Sequence, residues 1–158
     1  MTIKERDQQR LSLIVPGLRD VIATTLDAME RLGFPMTVTA GARTAEEQFA
    51  LYQKGRRKDE GGSWVPIMPN RAGIVTNADG YDNRSNHQTK ADGFGHAVDC
   101  VFLIDGPDRD GELDTPSWDE AHPWSLYGEM VEALGRRKVT WGGRWKTLKD
   151  LPHVEWVS

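Results

Sequence analysis

The stretch Ala97-Val-Asp-Cys-Val-Phe-Leu-Ile104 constrains this chain more than any other, because it is an apolar run of strand length interrupted by one carboxylate, Asp99. A short apolar run bounded by polar sequence reads as a strand buried on both faces. An unpaired buried charge is very costly, so Asp99 needs a partner, and a divalent metal would satisfy it. Cys100, beside it, is the only cysteine of the chain. An intramolecular disulfide and a cysteine-rich zinc site are therefore both excluded, and Cys100 reads as a small core hydrophobe rather than a catalytic thiol. Any transition metal must be held by carboxylates and by the 4 histidines, His87, His96, His122 and His153.

The flanking sequence supplies the rest of an α+β domain. Leu18, Val21, Ile22, Leu26 and Met29 recur on one face of a helix over 17–32, with Pro16 at its entry and Gly33 as its stop. Met36–Thr39 reads as a short strand. Thr44-Ala-Glu-Glu47 is a capping box that opens a second helix, ending at Gly55. From Arg56 to Asn86 the chain is polar and rich in Gly, Asp and Asn. This long loop is expected to carry a short hairpin around Trp64–Val75 and to be functional or mobile. A second polar loop is expected over 105–115. Trp124, Tyr127, Met130, Val131 and Leu134 mark a further amphipathic helix, and Lys138–Trp141 and His153–Trp156 read as strands. The basic pieces Arg56-Arg57-Lys58 and Arg136-Arg137-Lys138 read as solvated helix ends.

At 158 residues the expectation is a single domain, 1–158, with a real core. A net charge of −4 argues against a nucleic-acid partner, which needs clustered Lys and Arg. No run approaches the roughly 18 apolar residues of a membrane span, so no membrane insertion is expected. Met1–Arg10 lacks the apolar core of a signal peptide; the expected location is the cytoplasm, and the expected state is a monomer.

His87, Asp99 and His153 form the candidate metal set. Two imidazoles and one carboxylate leave a tetrahedral zinc ion one open position, as in catalytic rather than structural sites. Asp150 stands three residues before His153 on a Pro-containing turn, where it can act as general base on water and return the proton to a leaving amine. Arg43, before the capped helix, is a candidate to hold an oxyanion or a substrate carboxylate. Spacing alone does not single these residues out, since Gly-x-Ala-x-Asp and Asp-x-x-His occur in many unrelated proteins. Nor does it settle the metal, because such a donor set accepts other divalent ions.

Four blocks together resemble a known family. They are Arg43-Thr-Ala-Glu-Glu-Gln48-Phe-Ala-Leu51-Tyr52, Ser85-x-His87 with Gly95-x-Ala97-x-Asp99, Trp141-Gly-Gly-Arg-Trp145, and Asp150-Leu-Pro-His153. In this order they resemble the D-alanyl-D-alanine carboxypeptidase and L-alanyl-D-glutamate endopeptidase family of zinc peptidases, which shares its fold with the hedgehog signalling domain, and phage endolysins in particular. The resemblance implies a small antiparallel sheet flanked by helices, with one zinc ion on His87, Asp99 and His153. It further implies Asp150 as general base, Arg43 as an aid at the transition state, and a peptidoglycan stem peptide as substrate. An endolysin would wait in the cytoplasm and act on the wall after release. A carboxypeptidase or dipeptidase, and a zinc-stabilised binding module without catalysis, are the alternatives; the presence of Asp150 and Arg43 favours an enzyme.

The sequence departs from the family at one point. Six residues usually separate the first histidine from the aspartate; here the segment after His87 is longer, and the short register would place Asp92 at the ligand position. His96 lies an odd number of residues from Asp99, hence on the opposite face of a strand, and is read as a non-ligand. His122 is read as a surface residue. Glu155, which alternates with His153, is either a partner orienting that histidine or a solvent-facing strand residue. Trp124 and Trp156 fit core positions, and Trp64 and Trp118 are read as core or lid residues rather than sugar platforms.

Overall fold

The computed structural model describes residues 1–157. Strand β4 (Ala97–Asp105) is its axis. From Ala97 to Leu103 every side chain of β4 except Asp99 is buried, which is why the sequence there is apolar on both faces. Strand β1 (Met36–Ala40) pairs antiparallel along one edge of β4. The other edge is shared by β7 (His153–Trp156) and β5 (Leu113–Ser117), and β6 (Val139–Trp141) completes the sheet beside β7. A separate two-stranded hairpin joins β2 (Arg56–Lys58) to β3 (Trp64–Pro66).

Helix α2 (Pro16–Arg31) buries Leu18, Ile22 and Met29, while α4 (Trp124–Gly135) buries Trp124, Tyr127 and Val131. Together with Val98, Cys100 and Phe102 of β4 these side chains form one core. Burial pushes the Cys100 thiol pKa up, so it is a packing residue, as its context indicated. Helix α3 (Ala45–Tyr52) starts at the capping box read from the sequence. Thr44 Oγ1 accepts from Glu47 N at 3.1 Å, and Glu47 Oε2 accepts from Thr44 N at 3.2 Å.

Several expectations need correction. The first hairpin turns between Lys58 and Trp64 rather than within 64–75, so Arg56-Arg57-Lys58 is a strand and not a helix end. Arg56 is buried, and its guanidinium donates to the carbonyls of Tyr52 and Thr76. The 105–115 loop is shorter than expected because β5 begins at Leu113. An unexpected helix, α1 (Ile3–Leu11), opens on a second capping box, Thr2 with Glu5.

That helix has a specific task. β1 is an edge strand, and an edge exposes unpaired backbone groups. Asp7, buried on α1, accepts from Val38 N at 2.9 Å and from Thr37 Oγ1 at 2.7 Å, and Arg10 donates to the Val38 carbonyl. Burial raises the Asp7 pKa, against the hydrogen bonds from Thr37 and Val38. Asp7→Ala should cost about 1–3 kcal/mol by stranding these donors, read from denaturant unfolding. Asp7→Asn keeps the acceptor and should be far milder. A carboxyl whose folded pKa is raised contributes fully below its unfolded pKa and loses that contribution as pH rises through the folded value. Asp7→Asn should accordingly gain on wild type as the pH rises above the unfolded aspartate value of about 4.

Candidate metal centre

Sheet register brings the site together. Asp99 on β4 lies directly opposite His153 on β7, and on its other side opposite Ala40 of β1, where the β1 pairing carries a register shift between Val38 and Ala40. Directly opposed residues have neighbouring side chains, and His153 Nδ1 stands 2.9 Å from Asp99 Oδ1. His87 arrives from the long loop. Its carbonyl accepts from Arg43 N at 2.9 Å, and its Nε2 lies 3.3 Å from both Asp99 Oδ1 and His153 Nδ1.

The loop that delivers His87 is tied down by buried amides. Gln48 of α3 donates to the Ala78 carbonyl at 2.8 Å and to Thr76 Oγ1 at 3.2 Å; Gln88 donates to the Gly80 carbonyl at 2.9 Å. Both glutamines are buried, and these bonds explain how a polar stretch holds a defined path.

The three donor atoms form a triangle with edges of 2.9, 3.3 and 3.3 Å. Ligands about 2.0–2.1 Å from a tetrahedral ion stand roughly 3.3 Å apart, so the triangle fits one ion. The outer ring nitrogens are engaged elsewhere. His87 Nδ1 lies 2.9 Å from the Gly41 carbonyl, and His153 Nε2 lies 2.8 Å from Glu155 Oε1. With those outer nitrogens carrying protons, His87 Nε2 and His153 Nδ1 turn lone pairs towards Asp99, a convergence of acceptors that calls for a cation. The pKa shifts show the same preference for positive charge, with a proton on His153 in the cation's place. Burial works against the Asp99 charge, but the bonds to His153 and His87 outweigh it and hold its carboxyl far below the usual range. Burial likewise works against charge on His153, yet Asp99 and Glu155 hold it up at about 9. The pocket favours positive charge.

Asp150 and Arg43 flank the triangle. Asp150 lines an open groove of about 680 Å³ with Asp99, Val75, Trp118, Glu120 and Lys149. Burial first, and then the nearby charge of Asp99, raise the Asp150 pKa, a shift that suits a group exchanging protons near neutral pH. Arg43 is half-buried, with its guanidinium donating to Gln48 Oε1 at 2.6 Å and within the field of Asp99.

The rival histidines lie elsewhere. His96 pairs with Asp92 at 2.7 Å, which removes both from the triangle. His122 is half-buried, stacked on Phe102 with centroids 4.8 Å apart, rather than on the surface as expected. Glu155, left open by the sequence, faces His153. Trp118, 58% exposed, lines the groove; neither its spacing nor its neighbours in the sequence signalled that position, nor those of Glu120 and Lys149.

A mononuclear site of two imidazoles and one carboxylate, with a further carboxylate and a guanidinium beside it, is the site of a metallohydrolase in kind. A family model described as D-alanyl-D-alanine carboxypeptidase matches residues 79–156, which include all three donors and Asp150. The matched stretch belongs to this family, the M15 metallopeptidases. The peptidoglycan L-alanyl-D-glutamate endopeptidase CwlK of Bacillus subtilis (strain 168) is 28% identical over 149 residues, covering 89% of this chain and 74% of that protein. The crystal structure of the L-Ala D-Glu endopeptidase ChiX of Serratia marcescens aligns with a TM-score of 0.55 at 26% identity, over 96% of this chain and 86% of that one. The D,D-pentapeptidase VanY, solved as a mutant with Zn(II), shares the fold with a TM-score of 0.55 at 16% identity, over 92% of this chain and 73% of that one.

The contact between Glu155 and His153 can be tested directly. Glu155→Ala should weaken metal affinity about 10- to 100-fold, measured by competition with a chromophoric chelator, with Glu155→Gln falling between it and wild type.

Proposed function

We propose that this chain is a zinc-dependent endopeptidase that hydrolyses the L-alanyl-D-glutamate bond of peptidoglycan stem peptides. The observation that supports the reading is the arrival of Asp150 in the same groove as Asp99, the carboxylate corner of the His87, Asp99 and His153 triangle. The names of CwlK and ChiX supply the bond. In this reading His87 Nε2, Asp99 Oδ1 and His153 Nδ1 are the ligands. The choice of zinc rests on the donors: two imidazoles and one carboxylate with an open fourth position suit it. Bound there, zinc supplies Lewis acidity, polarising a carbonyl and bringing the pKa of water down to roughly 7.

The chain's own groups do the rest. Asp150 takes the proton of the attacking water and passes it to the amine that leaves, and its raised pKa matches both halves of that exchange. Arg43, fixed by Gln48, offers its guanidinium to the negative charge that develops on the carbonyl oxygen. Trp118 gives the groove an apolar wall against which a peptide can lie. Every one of these groups comes from one copy of the chain, so a monomer suffices. The likeness of its motifs to phage endolysins extends the proposal to host-cell lysis, for which co-expression with a membrane pore is the test: lysis should require both proteins.

Digestion of purified sacculi should release alanine C-termini and glutamate N-termini, identified by mass spectrometry, with loss of activity in chelator and recovery with zinc. Free D-alanine instead would make the enzyme a carboxypeptidase, and no release from any wall despite bound metal would make it a binding module. Asp150→Ala should keep zinc and lose about 10²- to 10⁴-fold in kcat. His153→Ala should lose both metal and activity; full zinc occupancy in it would refute the ligand assignment.

A further inference from the structure

The metal triangle leaves unexplained the segment Trp141-Gly-Gly-Arg-Trp145. Trp141 closes β6 and is buried. Its indole N–H donates to the Leu151 carbonyl at 2.7 Å. The ring is enclosed by two glycines. A Cβ at Gly128 of α4 would lie 2.2 Å from the ring, and a Cβ at Gly143 would also lie 2.2 Å from it. Neither position admits a side chain while the ring stays where it is, so the plane of the indole is set from both neighbours.

Leu151 follows Asp150 directly, and the turn from Asp150 to His153 is bound to the same segment a second time. Asp150 N donates to the Gly142 carbonyl at 3.2 Å, and the turn closes on itself through His153 N to the Asp150 carbonyl, also 3.2 Å. The two ends of the turn are held differently. His153 is fixed by its strand register with Asp99 and by its ring contacts with Asp99 and Glu155. Asp150 has no side-chain hydrogen bond of its own among the described residues. Its carboxylate goes where the backbone of 150–151 puts it.

We propose that Trp141 is a positioning residue for the reaction: through the Leu151 carbonyl it sets where the Asp150 carboxylate stands over the groove. Trp141 itself does not line that groove. The inference rests on the reading of Asp150 as general base. It also gives both glycines of the segment a reason, since Gly143 makes room for the ring and Gly142 lets the backbone of Asp150 approach.

Two variants remove the donor and keep a ring. Trp141→Phe is the simple one; benzothienylalanine placed at position 141 keeps the bicyclic shape with sulfur in place of N–H, so a folding failure of the first does not end the test. Zinc-loaded enzyme is assayed on purified stem peptide with kcat and KM separated, and zinc affinity is measured by chelator competition. A shift of about 1 Å in a catalytic group costs on the order of a hundredfold, so kcat should fall about ten- to hundredfold. KM and zinc affinity should stay within about twofold. Wild-type kcat in the isostere, against an inactive Asp150→Ala, overturns the positioning role alone. A loss of zinc affinity parallel to the loss of kcat also overturns it, because the indole would then be supporting the metal site as a whole. Activity surviving in Asp150→Ala overturns the base reading and the positioning role with it.

Discussion

Asp99 is a charged group in the strand around which the sheet is built, and positive charge shared with two imidazoles makes its partial burial tolerable. Desolvation of the carboxylate opposes folding, while the His87 and His153 nitrogens at 3.3 and 2.9 Å oppose desolvation more strongly. The sheet register follows from the same residue, since Asp99 must face His153 across the β4–β7 pair. A slip of one residue would turn that side chain to the other face. Because β4 is apolar on both faces, burial alone distinguishes the two registers weakly, and the single carboxylate is what separates them.

Much of this was legible in the chain. The apolar run with one carboxylate identified β4, and the helices over α2, α3 and α4 announced themselves by period and caps. The four motif blocks pointed to His87, Asp99, His153, Asp150 and Arg43, and the geometry brings the first three within one triangle and Asp150 into the groove beside Asp99. The lengthened segment between His87 and Asp99 left two registers open. The pairing of Asp92 with His96 resolves it, because the extra residues are tied to each other and leave His87 as the third corner.

What stayed hidden had physical causes. Helix α1 is polar throughout except at its ends, so hydrophobic periodicity missed it; its capping box at Thr2 and Glu5 was the available signal. Strand β5 contains a proline and alternates weakly, which suits a strand paired only along the end of β4. The buried guanidinium of Arg56 and the buried amide of Gln48 bond to partners 20 to 30 residues away, beyond any local window. The groove residues Trp118, Glu120 and Lys149 meet only after the chain has folded.

Cys100 carries a consequence of another kind. Its thiol is sealed in the core and raised in pKa, so the nucleophilic thiolate is suppressed and access to it is closed. The fold has no disulfide to lose and no accessible thiol to gain one. Redox conditions that would remodel a disulfide-stapled wall enzyme leave this one indifferent. In the zinc-dependent reading, its chemical vulnerability lies with whatever competes for the ion.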